Sequence, residues 1–242
     1  KYYFISGSGN KKQFTKKNLK TISKSLNQEQ KKYNLKLSGG DTTNSNKISF
    51  SITSIGFSKN IVERNKAKLN DDIYITGNIG DSFVGLKVIK KKININPKLK
   101  KYFINQFYCP NLPYKISKMI SKFASTSMDI SDGLFSDMCK LINKQKLSFE
   151  IDVNKIPISK NLEIYLKKNN KKKIQYLFNG DDYQILFTAP KKNRSLIKSI
   201  GKKMNQKITI IGKINNRYKK NLINLDNKPL NLSKFKGYSH KF

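Results

Sequence analysis

The sequence predicts a mixed fold, α/β or α+β, arranged as two domains, and three observations carry that reading. Segments of two-residue apolar alternation interleave with segments of helical spacing along the whole chain. A polar stretch over 58–70 interrupts them, dividing a first domain, 1–57, from a second, 71–242. A length of 242 residues, with 37 % apolar and 11 % aromatic content, is enough to bury a core. No run of about 18 apolar residues is present, so no membrane span is expected.

Taken in order, Tyr2, Tyr3, Phe4 and Ile5 place a strand over 1–7. Phe14, Leu19, Ile22, Leu26 and Tyr33 fall at helical spacing over 14–33. A short strand at 35–37 runs into Ser38, Gly39, Gly40, Asp41, Thr42 and Thr43, which read as turn-like. Ile48, Phe50 and Ile52 alternate with polar residues, giving a half-buried strand over 48–57. After 58–70 come a strand at 72–76, a helix at 82–90 and a Lys-rich loop around Pro97. The Lys/Asn stretches at 90–101 and 167–173 read as surface loops. Helices follow at 113–123, from Gly133 to about 145, at 159–169 and at 191–205. Strands fall at 126–131, 147–152, 184–188 and 207–214. Lys1 is not Met and leads directly into a strand, so we expect the chain to continue a longer N-terminal region.

Fifty Lys and Arg against fifteen Asp and Glu give a net charge of +35. The tempting inference is nucleic-acid binding. Only Arg64, Arg194 and Arg217 are Arg, however, and the Lys residues are dispersed. A reader of phosphate backbones favours the planar guanidinium fork, so the charge reads as solvated surface with no specific nucleic-acid partner. Cys109 and Cys139 stand alone, as reduced thiols of a cytoplasmic protein would. His240 is the single histidine, which leaves neither a zinc site nor a Ser-His-Asp triad. Any metal must therefore be held by oxygen.

The scarce carboxylates sit beside glycine in four groups: Gly40–Asp41, Gly80–Asp81, Asp129 to Gly133, and Gly180 to Asp182. Singly, each is an ordinary turn pair. Together, at different strand ends, they suit Mg2+, which takes oxygen ligands along with substrate phosphates. In a strand, Asp129 and Ser131 share one face while Met128 and Ile130 face the core. Asp132 stands at a strand-to-helix turn, where it could also serve as an N-cap. Leu134, Met138 and Leu141 then form the buried stripe of the helix. Arg64, the one Arg in the first 193 residues, suits a bidentate phosphate contact; a solvated linker Arg explains it equally well.

The ordered set of these motifs resembles the thiamine-monophosphate kinases, of the superfamily that includes aminoimidazole ribonucleotide synthetase. The matching pieces are Ser38–Thr43, Arg64, Asp72–Gly77 with Gly80–Ser82, Met128–Leu134 with Ser136 and Asp137, Asn179–Tyr183 with Phe187–Pro190, and Phe235–Tyr238 with His240. They span nearly the whole chain.

The resemblance implies a two-domain architecture of that superfamily, with the first domain incomplete, and a cytoplasmic homodimer. It implies ATP-dependent phosphorylation of thiamine phosphate to thiamine diphosphate, with Mg2+ as cofactor. By position, Asp41, Asp129 and Asp132 correspond to magnesium ligands, Gly40 and Ser131 to ATP contacts, and Arg64 to the arginine on the ATP phosphates. Asp181 falls where the family holds the thiamine part with Glu, and Tyr238 where an aromatic ring packs on that substrate. The acceptor is already a phosphate, so no general base is needed, and catalysis reduces to alignment and charge neutralisation. Two rivals remain: another ATP-dependent synthetase of the superfamily (selenophosphate or purine pathway) and a basic nucleic-acid-binding module.

Overall fold

A computed structural model describes residues 1–216 and 220–230. Two compact units are present, Lys1–Ile61 and Val62–Phe242.

The first unit is a three-stranded sheet with one helix. β1 (Tyr2–Gly9) is central, parallel to β2 (Lys36–Asn44) and antiparallel to β3 (Ser49–Ile55). α1 (Lys16–Tyr33) starts at Thr15, whose side chain accepts the Asn18 N–H, and ends at Asn34 in the left-handed conformation. The turn-like reading of 38–43 is corrected here, because Gly39, Gly40 and Asp41 lie inside β2. Gly40 is needed for close approach, not for turning: a Cβ there would collide with the Ile5 carbonyl of the neighbouring strand. β3 is exposed at every position rather than half-buried. One helix covers only one face of a three-stranded sheet, and Tyr2, Phe4 and Ile55 lie on the other.

The second unit carries a seven-stranded sheet. Its strands are β4 (Asp72–Thr76), β5 (Thr126–Asp129), β6 (Leu147–Asp152), β7 (Ile185–Ala189), β8 (Ile208–Asn216), β9 (Leu222–Leu225) and β10 (Lys228–Pro229). Their spatial order is β10-β9-β6-β8-β4-β7-β5, antiparallel throughout except for β6 beside β9. Both faces of its middle are buried, so β4 is apolar over Ile73–Ile75, between Asp72 and Thr76. Ile73, Ile75 and Leu186 pack on one side with Leu134, Met138 and Leu141 of α5 (Leu134–Leu141). Tyr74 and Phe187 stack at 4.9 Å on the other, with Ile197 and Ile200 of α7 (Arg194–Lys203). Arg194 grips buried Asp72 with two hydrogen bonds, 2.6 and 2.8 Å, tying α7 to β4.

A third cluster joins α2 (Asp81–Ile89), α3 (Pro97–Tyr108) and α6 (Lys160–Lys168) through Val84, Phe103, Leu162 and Tyr165. α3 replaces much of the expected loop around Pro97. Proline at the first helical position costs no hydrogen bond, and Asn96 caps the turn by accepting from Leu99 N at 2.9 Å. The Lys residues of α3 face water while Leu99 and Phe103 are buried. The segment expected as one helix over 113–123 is a single α turn, α4 (Tyr114–Ser117), and a 3-10 turn at Ile120–Lys122. α5 stops at Leu141, short of 145.

Truncating Phe103, which is fully buried, removes the centre of the third cluster. Phe103→Ala is expected to lower stability by about 3–5 kcal/mol, read as a shift in the urea midpoint.

Candidate active site

The site forms where β5 ends. Asp129 closes the strand, exposed, and the chain turns through Ile130–Gly133 into α5. Ser131 is therefore in the turn, not on the strand face beside Asp129 as the alternation predicts. Asp132 is not the N-cap either; Gly133 holds that position and no side chain caps there directly. The capping comes from within the helix. Asp137, fully buried, accepts with Oδ2 from the backbone N–H groups of Ser131, Asp132 and Gly133 at 2.9, 2.9 and 3.1 Å. A carboxylate in the first turn also suits the positive end of the helix.

A second loop is stitched to this one. Tyr183 N donates to Ile130 O at 2.9 Å, Asp181 N to Ser131 O at 3.0 Å, and Ile130 N to Gln184 O at 2.8 Å. These bonds extend the β5–β7 pairing beyond β7 and into the Gly180–Gln184 segment. Gly180 permits it, since a Cβ there would collide with the Ser131 carbonyl. Asp181 and Tyr183 both hold left-handed φ, +66° and +48°.

The stitching brings Asp129, Asp132 and Asp181 within electrostatic reach of Tyr183. Burial raises the Tyr183 pKa, and the charges of Asp181, Asp129 and Asp132 raise it further. Burial also raises the Asp181 carboxyl, with Asp132 adding to the rise and Lys90 opposing it. Lys140 of α5 donates to Asp132 Oδ2 and, at 3.2 Å, to Asp137 Oδ1. Burial works against its charge, but the hydrogen bonds to both carboxylates prevail and hold its pKa above the ordinary lysine range. Asp137 and Lys140 acting as a pair escaped the sequence reading. Their three-residue spacing on a helix was the available signal.

Behind the loop, Asp182 is buried and accepts from Gly80 N at 2.8 Å and Ser82 N at 3.4 Å, at the start of α2. Burial, assisted by the nearby Asp81, pushes its pKa up to about 8. Asp81 is itself held by Ser159 Oγ and Tyr102 Oη, each at 2.7 Å. Gly80–Asp81 and Asp182 thus anchor the loop.

Of the other residues singled out, Gly40 and Asp41 line a groove of about 570 Å³ inside the first unit, between α1 and its sheet. Arg64 is exposed near the start of the second unit. Tyr238 lies outside the described residues. Among the described residues no three His, Cys, Asp or Glu side chains are close enough to cage a metal by themselves. The donor chemistry of Asp129 and Asp132 nevertheless fits Mg2+, which is commonly bound by one or two carboxylates together with substrate phosphates. No helix among the described residues is long and apolar enough to cross a membrane.

This mostly antiparallel sheet, with its carboxylate-bearing paired loops, defines an AIR synthase-related protein: residues 69–223 match the family model of the AIR synthase related protein C-terminal domain. The chain is 38 % identical over 231 residues to the thiamine-monophosphate kinase of Buchnera aphidicola subsp. Schizaphis graminum, covering 92 % of this chain and 69 % of that one. It is 36 % identical over 160 residues to the thiamine-monophosphate kinase of Aquifex aeolicus, covering 66 % of this chain and 52 % of that protein. Among solved structures, AaThiL complexed with AMPPCP and TMP superposes with a TM-score of 0.84 and 28 % identity, over 100 % of this chain and 74 % of that one. The chain belongs to the thiamine-monophosphate kinase family and spans about half to two thirds of the length of these curated relatives.

The buried carboxyl of Asp182 sets a pH dependence. Its folded pKa of about 8 lies above the ordinary 3.8, so the folded state binds the proton more tightly. Its favourable share of stability is full below the ordinary value and is lost as pH rises towards 8. Asp182→Asn is expected to flatten the fall in melting temperature between pH 5 and 8, measured by thermal denaturation in a pH series.

Proposed function

We propose that this chain transfers the γ-phosphoryl group of ATP to thiamine phosphate, giving thiamine diphosphate and ADP. Family membership supports the reading, as does a relative solved with AMPPCP, a nonhydrolysable ATP analogue, and TMP. The observation in this chain that carries it is the joining of the Asp129–Asp132 turn to the Asp181–Tyr183 loop by backbone hydrogen bonds. In this reading the acidic turn faces the phosphates and Asp181 the acceptor, and the bonds between their loops support the fixed alignment that phosphoryl transfer between two phosphates requires.

In this reading a terminal oxygen of thiamine phosphate attacks the γ-phosphorus, and the bond to the β-phosphate oxygen breaks. The attacking oxygen is already anionic, so no side chain removes a proton. Asp129 and Asp132 would supply oxygen ligands for Mg2+, and Asp41, in the first unit, is assigned a ligand role by the order of the family's motifs alone. When bound, the metal supplies charge neutralisation on the phosphate oxygens. Ser131 and the Gly40 backbone contact ATP, and Arg64 pairs with its phosphates. Asp181 accepts from the aminopyrimidine of the thiamine part.

The protein works as a cytoplasmic homodimer in this reading. The exposed apolar side chains of the first unit, Tyr2 and Phe4 among them, support a second copy as partner. Two free thiols, Cys109 and Cys139, and an ATP co-substrate suit the cytoplasm.

A coupled assay with ATP, Mg2+ and thiamine phosphate tests the reading by the appearance of thiamine diphosphate; no product with active nucleotide and acceptor present overturns it. Asp129→Asn is expected to cut kcat at least about 100-fold. Its melting temperature stays within a few degrees, because the side chain is exposed at a strand end. Asp181→Ala is expected to raise the KM for thiamine phosphate about tenfold or more while moving that for ATP far less.

A further inference from the structure

We propose that Lys140 is a built-in placeholder for the divalent cation: its ammonium occupies the Asp132 carboxylate and withdraws onto Asp137 when a metal binds. The proposal rests on the reading of Asp132 as a metal ligand. Two features of the second unit support it.

Lys140 bonds two carboxylates that differ in kind. Asp137 is fully buried, and its second oxygen is committed to three backbone N–H groups, so its position is fixed. Asp132 retains about a third of its side-chain exposure, as does Lys140, at 32 % and 38 %. The exchangeable contact is therefore the one with Asp132. The contact with Asp137 is built into α5, where residues three apart share a face. Lys140 can release Asp132 and keep a partner, without backbone movement.

Lys140 also hydrogen-bonds Asp132 directly, while Lys90 acts on Asp181 only through its charge. Asp129 and Asp181 form no ion pair among the described residues, although both act electrostatically on Tyr183 along with Asp132. Asp132 and Asp181 repel, since the Asp132 charge raises the Asp181 carboxyl, and backbone hydrogen bonds join their loops. An ammonium on one of them offsets part of that repulsion. A divalent cation arriving at Asp132 must then compete with a bonded ammonium, so the metal alone binds more weakly than the carboxylates would otherwise allow.

The test titrates Mn2+ alone, without nucleotide, into the purified protein and reads free Mn2+ by electron paramagnetic resonance. Lys140→Met is expected to bind Mn2+ about tenfold more tightly than the parent, since one competing positive charge is gone. Lys140→Arg, which keeps the charge, stays near the parent affinity; a merely structural role for Lys140 would not produce that split. Lys140→Gln repeats the test with a polar tip should the methionine variant fold poorly, and the same tightening is expected. Unchanged or weaker Mn2+ binding in a folded Met or Gln variant overturns the placeholder. Asp132→Asn serves as the control on the underlying reading. If it leaves Mn2+ binding intact, Asp132 is not a metal ligand, and that reading fails along with the placeholder. If it abolishes binding while Lys140→Met has no effect, only the placeholder fails.

Discussion

Everything at the candidate site depends on a short run of backbone hydrogen bonds between two loops about fifty residues apart in sequence. Ile130 and Ser131 meet Asp181, Tyr183 and Gln184 in what is geometrically a continuation of the β5–β7 ladder. Peptide groups make these bonds, and the close approach they need is set by Gly180, where a Cβ would collide with the Ser131 carbonyl. Asp129, Asp132 and Asp181 are then free to carry chemistry. Lys140 of α5 hydrogen-bonds one of them, Asp132.

The ladder is braced from behind by two buried carboxylates. Asp137 collects three N–H groups of the turn that leads into α5. Asp182 collects two at the start of α2. Each satisfies donors that a helix start leaves open, and each does so from a distance in sequence or from inside the helix, unlike a side chain at the cap itself. The cost of burying them shows in the raised pKa of Asp182. The sheet beneath is buried on both faces, so strand β4 cannot tilt or slide without disturbing two cores.

The first unit is built differently. A single helix lies on a three-stranded sheet, α1 buries no residue, and the sheet exposes Tyr2, Phe4 and Ile55. Gly39, Gly40 and Asp41 lie in a strand, where glycine admits the neighbouring backbone. Glycine serves turns and crowded strands alike, so composition could not distinguish the two at this position. The same limit hid α3: Lys and Asn around Pro97 resemble a loop, yet Asn96 and Pro97 form a good helix start once Leu99 and Phe103 have a core to enter.

The sequence by itself determined the alternation of strands and helices in the second unit, the apolar stripe of α5 and the carboxylates Asp129, Asp132 and Asp181, because periodicity and residue chemistry are local properties. Tertiary structure alone decided that the Asp129–Gly133 turn meets the Asp181–Tyr183 loop, that Asp137 rather than Asp132 caps the turn, and that Lys140 bridges the two. The physical reason is that hydrogen-bond partners distant along the chain are selected by strand order, which no local pattern encodes.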